Sequence, residues 1–127
     1  PLIRIPVTRG AGTRVELRCP DPAANPYLVL AVCLEAGLDG IRNQITPPDA
    51  VTENVFEMQL QQRAKLGIES LPGDLEQAVE ELEKDDYIKN VLGGHITEKY
   101  LEAKRAEWAD YRAQVTEWEI EKYLYKI

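Results

Sequence analysis

Arg14-Val-Glu-Leu-Arg-Cys-Pro-Asp-Pro-Ala-Ala-Asn-Pro-Tyr27 passes from an alternating charged segment through a proline-rich corner into an apolar run. Successive side chains on an extended backbone leave opposite faces, so Arg14, Glu16 and Arg18 share one face while Val15, Leu17 and Cys19 share the other. Same-face neighbours lie roughly 6.5–7 Å apart, which places two guanidinium groups on either side of one carboxylate. With the apolar side packed on a core, the charged side must meet water, a partner or a ligand. Alternating charge on a solvated strand is ordinary. This row also has a specific chemistry: arginine offers a planar fork to phosphate or carboxylate, and glutamate is a hard oxygen ligand for a divalent cation.

Upstream, Leu2 to Thr8 alternates like a second strand, with Ile3, Ile5 and Val7 on one face and Arg4 on the other. Gly10-Ala-Gly12 can supply a turn back. A three-residue loop sets Arg4 across from Arg18 and Thr8 across from Arg14, all on one face. Three arginines around one glutamate repel each other unless an anion neutralises them, which points to phosphate. Arg9, in the loop, is a weaker candidate. Pro6 has no N–H and should avoid an inward ladder bond. Residues 1–20 are therefore read as a charged hairpin.

Downstream, Asn25-Pro26 reads as an N-cap followed by proline at the first helical position, opening a helix to about Asn43. Its polar face is so narrow that burial on most sides is expected, with a structural role. Asp21 and Asn25 should satisfy corner donors, and residues 21–45 form this corner and helix. Thr46-Pro-Pro-Asp49 makes a turn into an exposed loop over 46–73, with a short helical piece near Gln59 to Lys65. Residues 74–127 read as a helical tail. Asp74 and Gln77 fit a capping box ahead of a Leu75, Ala78, Val79, Leu82 stripe. A second stripe at Tyr87, Ile88, Val91 and Leu92 stops at Gly93-Gly94. From Thr97 a long amphipathic helix carries Leu101, Trp108 and Val115, with Glu98, Glu102 and Arg105 on a solvated face. His95, the single histidine, reads as a cap or surface residue.

A chain of 127 residues with 44% hydrophobic content and a net charge of −7 fits one partial globular domain. The acidic balance argues against binding of nucleic acid or of an anionic membrane. The apolar run from Tyr27 to Leu34 is too short to span a bilayer and nothing resembles a signal peptide, so a cytoplasmic location is expected. Cys19 and Cys33 lack CxxC spacing and read as reduced, small apolar residues. The chain opens without a methionine in strand-like sequence, which is expected of a piece of a longer polypeptide.

Several separated motifs resemble, in order, the C-terminal part of the catalytic domain of a bacterial class I glutamine synthetase. They are Leu2-Ile-Arg-Ile-Pro6, Arg14-Val-Glu-Leu-Arg18, Pro20-Asp-Pro-Ala-Ala-Asn-Pro-Tyr-Leu28 and Gly37-Leu-Asp-Gly-Ile41. They continue through Ile68-Glu-Ser-Leu-Pro72 and Gly93-Gly-His-Ile96 to Arg112-Ala-Gln-Val-Thr-Glu-Trp-Glu119. The resemblance implies an α+β fragment in which an N-terminal charged β-hairpin precedes a mostly α-helical region. It implies ATP-dependent joining of ammonia to the γ-carboxylate of L-glutamate through γ-glutamyl phosphate. In that scheme Arg4 contacts ATP phosphates, Arg14 helps hold the nucleotide, Glu16 ligates Mg²⁺ or Mn²⁺, and Arg18 binds glutamate. The short loop has no lysine matching one that some relatives carry.

The resemblance further implies a homododecamer of two stacked hexameric rings, with Ile120, Tyr123, Leu124 and Tyr125 contacting the opposite ring. Asn54-Val-Phe-Glu57 stands where some relatives carry an adenylylated tyrosine, and Phe56 has no hydroxyl to modify. The other metal ligands and the ammonia site lie upstream in such enzymes, so this segment alone is expected to be inactive. A γ-glutamyl ligase using another amine is the alternative within the family. A non-enzymatic helical interaction module is the alternative outside it, separable by whether coding sequence extends in frame upstream of Pro1.

Overall fold

Short polar side chains beside prolines cap the chain's corner. In the computed structural model, which describes residues 2–124, Asp21 Oδ1 accepts from the Ala23 N–H at 2.7 Å. Asn25 Oδ1 accepts from the N–H groups of Tyr27 and Leu28 at 3.0 and 3.3 Å. These bonds satisfy first-turn donors that a helix leaves open, and α1 runs over Pro26–Arg42 with Asn43 as its C-cap.

The hairpin ahead of the corner is shorter than the alternation implies. Strands β1 (Ile3–Arg4) and β2 (Glu16–Leu17) are antiparallel, with Ile3 opposite Leu17 and Arg4 opposite Glu16. The expected pairing of Arg4 with Arg18 is therefore corrected: Arg18 lies across from Leu2 and donates its N–H to the Leu2 carbonyl at 2.9 Å. In place of the expected three-residue connection there is a longer loop containing one 3₁₀ turn, Gly10–Gly12. Pro6 explains this, since it cannot donate to a ladder; it is buried, and its carbonyl accepts from Arg9 Nη1 at 2.6 Å. A register shift of two residues keeps every side chain on its expected face.

The helical region is built on α3 (Leu75–Lys84), α4 (Asp86–Leu92) and α5 (Gly94–Arg112). Helix α3 packs on α5, and α4 packs on α1, α3 and α5. Asp74 accepts from the Gln77 N–H at 2.8 Å, but Gln77 Oε1 accepts from the Gly73 N–H at 3.0 Å rather than from that of Asp74, so no capping box closes. Gly93 takes φ +79°, ends α4, and lets α5 start at once. Helix α5 thus begins at Gly94 rather than Thr97, with His95 exposed in its first turn. It ends at Arg112, leaving Val115 beyond it. Thr97 is buried and donates to the Lys89 carbonyl at 3.2 Å. Arg105 pairs across helices with Glu83, while Lys99–Glu102 and Lys104–Glu107 form the pairs along α5; the expected grouping of Glu98 with Glu102 and Arg105 is not formed.

Two expectations of burial are overturned. Helix α1 has no buried residue, and Tyr27, Leu30, Leu34 and Ile41 form an exposed stripe, each between 64 and 82% accessible. A helix apolar nearly all round needs neighbours all round, and among the described elements only α4 packs on it. The apolar hairpin face is open for the same reason: Ile3, Ile5, Val7, Val15, Leu17 and Cys19 are exposed.

Between these parts, α2 (Leu60–Lys65) stands in the expected loop, where Met58 is buried and Phe56 projects fully into solvent. After α5, Thr116 caps α6 (Glu117–Glu119) with a reciprocal box, and a wide π turn follows over Ile120–Leu124. Ile120, Tyr123 and Leu124 are exposed, and Tyr125 lies outside the described residues. No helix among the described residues is long and apolar enough to cross a membrane.

In this 127-residue chain, Val79→Ala is expected to lower stability by about 1–2 kcal/mol in urea unfolding, while Leu30→Ala costs under about 0.5 kcal/mol. A cost at Leu30 equal to that at Val79 would mean that the α1 stripe is covered.

Candidate functional site

Alternation and the Arg4–Glu16 register converge on one carboxylate. Glu16 Oε2 takes Arg4 Nη1 at 3.0 Å, and Glu16 Oε1 takes Arg14 Nε at 2.8 Å and Nη2 at 2.7 Å. Arg14 also donates from Nη1 to the Gly12 carbonyl at 3.1 Å, so the loop orients its guanidinium. The carboxylate is bracketed by Arg4 and Arg14, not by Arg14 and Arg18 as the row alone suggested. Arg18 makes no ion pair among the described residues, yet its charge still acts on Glu16. Arg9 turns back onto the Pro6 and Thr8 carbonyls and serves the loop.

The hydrogen bonds from Arg4 and then Arg14, aided by the charges of Arg4 and Arg18, hold the Glu16 carboxyl below the ordinary value of 4.5. Three guanidiniums against one carboxylate leave this face cationic on a chain whose net charge is −7. The face is open: about half of each of the Arg4 and Arg14 side chains is accessible, and a quarter of Glu16. It can receive an anion that competes with Glu16 for two arginines.

For a divalent cation the donor set is small. No group of three or more His, Cys, Asp or Glu side chains with metal-binding geometry occurs among the described residues, whereas Mg²⁺ takes six oxygens and Ca²⁺ six to eight. Glu16 offers one hard oxygen donor, and in the structure that carboxylate is occupied by Arg4 and Arg14. An open cleft of about 630 Å³, lined by Glu81, Leu82, Lys84, Asp85, Asp86 and Ile88, involves no hairpin residue.

The chain matches the family model described as glutamine synthetase, catalytic domain, over residues 1–123. It belongs to the glutamine synthetase catalytic-domain family. Glutamine synthetases of Clostridium saccharobutylicum and Thermotoga maritima are each 54% identical to it, over 125 and 124 residues, covering 98% of this chain and 28% of the relative. The glutamine synthetase of Methanocaldococcus jannaschii is 51% identical over 123 residues, 97% of this chain and 27% of that protein. Among solved structures, one described as "Apo GmaS without ligand" aligns with a TM-score of 0.75 at 40% identity, covering 97% of this chain and 27% of that one. The chain thus spans little more than a quarter of these glutamine synthetases.

This member of the family has the expected α+β architecture, a small charged hairpin followed by helices. Two of its features have no local signal. The Arg4–Glu16 contact depends on a register that only Pro6 hinted at. The Tyr87 hydroxyl bonds to Glu35 across 52 positions, which no motif announces.

A folded-state carboxyl held below 4.5 stabilises the hairpin above that pH and loses the effect as pH falls through the depressed value. Carboxyl titration by NMR is therefore expected to show Glu16 ionising below exposed glutamates, with Arg4→Gln moving it back up; coincidence with the other glutamates would refute the pairing.

Proposed function

We propose that this segment supplies the phosphate- and glutamate-facing hairpin of a glutamine synthetase, which joins ammonia to the γ-carboxylate of L-glutamate at the expense of ATP. What supports the reading is one carboxylate shared by two arginines, with a third arginine on the same face, in a chain of this family.

ATP delivers its γ-phosphoryl group to a γ-carboxylate oxygen, releasing ADP and forming γ-glutamyl phosphate. Ammonia then attacks the acyl carbon, the C–O bond to phosphate breaks, and glutamine and inorganic phosphate leave with loss of a proton. Such transfers are catalysed chiefly by placing reactants and neutralising phosphoryl oxygens. Arg4 and Arg14 meet that need: polyphosphate oxygens replace the Glu16 carboxylate as their partners, without moving the strands. Glu16, once released, would serve as one ligand to Mg²⁺ or Mn²⁺, whose chemistry there would be neutralisation of phosphoryl charge. Arg18, without an ion pair of its own, is placed to take a carboxylate of glutamate.

The whole enzyme is proposed to be a homododecamer of two stacked hexameric rings, to which Ile120, Tyr123 and Leu124 contribute exposed apolar surface. Phe56 is fully exposed in its loop and offers no hydroxyl for adenylylation. One carboxylate and three arginines do not make a complete site, so the isolated segment is proposed to be inactive.

In the full-length protein, Glu16→Ala and Arg18→Ala are each expected to reduce glutamine formation by about a hundredfold or more, with assembly size unchanged. Arg18→Ala acts mainly through KM for glutamate, and Glu16→Ala through metal dependence. Near-normal turnover in both variants would make the charged row scaffold, and turnover by the isolated 127-residue chain would contradict its proposed incompleteness.

A further inference from the structure

Among the described residues, helix α1 is tied to another helix by one polar group. The Tyr87 hydroxyl, in the first turn of α4, donates to the main-chain carbonyl of Glu35 at 2.9 Å and lies 3.4 Å from Glu35 Oε2. That carboxylate is held in turn by Arg42 at 3.1 Å. Removal from water, and then the charges of Asp39 and Glu35, raise the Tyr87 pKa above 10.0, so the hydroxyl keeps its proton and donates. Among the described residues no other hydrogen bond joins α1 to another helix.

Apolar packing between α1 and α4 is non-directional and permits a helix to slide or roll. A hydrogen bond to one carbonyl fixes both motions. The hairpin needs that anchor, because neither strand packs against a helix among the described residues. Its connection to the helices is the corner, stiffened by Pro20, Pro22 and Pro26, which enters α1 about 14 Å along the helix from Glu35. Arg18 is the charged hairpin residue nearest that corner and lies outside the Glu16 ion pairs, so slack arising in α1 reaches it first.

We infer that Tyr87 is a positioning residue for the glutamate-binding end of the hairpin: by pinning α1 at Glu35 it fixes, through the proline corner, where Arg18 stands. The inference rests on the proposed synthetase function for the role of Arg18. Tyr87→Phe in the full-length enzyme keeps the ring and removes the donor. It is expected to raise KM for glutamate by about three- to tenfold while KM for ATP and kcat stay within about twofold. Hydrogen exchange of the amides of residues 14–18 is expected to quicken in the same variant, with assembly size unchanged. Unchanged KM for glutamate, or equal rises in both KM values accompanied only by a lower Tm, would overturn the positioning role, as would unchanged exchange. If the wild-type enzyme makes no glutamine, the synthetase function falls, and the exchange measurement alone decides whether Tyr87 controls the hairpin.

Discussion

The charged face is held together by one carboxylate that two guanidiniums share. Glu16 engages Arg4 across the ladder and Arg14 along the strand, and each contact is solvent-facing. Exposed ion pairs are individually weak, and a two-stranded ribbon is marginal by itself. The assembly of the face therefore depends on these pairs acting together with the loop that orients Arg14 and with Pro6 buried at the turn. The same weakness makes the arrangement exchangeable.

The helical part follows different physics. Side-chain caps at Asp74 and Asp85, the glycine stop at Gly93, and the buried Val79 and Thr97 make α3, α4 and α5 a mutually supporting unit. Lys89 strengthens it by donating to the Glu83 carbonyl at 2.6 Å, which ties the end of α3 to α4. The hairpin and α1 lack such support, and both present apolar faces to solvent. The segment spans about 28% of a glutamine synthetase relative such as that of Clostridium saccharobutylicum.

Much of the layout was legible beforehand because it is set locally. The caps at Asn25 and Asp74, the stop at Gly93, the alternation at 14–18 and the corner prolines each act through neighbours within about four residues. The sharing of a face by Arg4, Arg14, Glu16 and Arg18 survived a wrong register because a slip of two residues preserves sidedness. The start of α5 was misplaced for an equally local reason. Gly94 reads as a breaker by propensity, yet Gly93 alone supplies the left-handed turn and Gly94 is free to be helical.

What the sequence determined by itself was therefore the kind of each element, its ends to within a few residues, and which charged groups share a strand face. Tertiary structure decided which arginine faces Glu16, that Arg105 crosses to Glu83 instead of serving α5, and that Tyr87 reaches Glu35. It also decided that α1, written as a buried helix, is half uncovered. The physical reason is distance along the chain. Capping and side-chain alternation are short-range consequences of backbone geometry, whereas partner choice and burial depend on surfaces that meet only after the chain has folded.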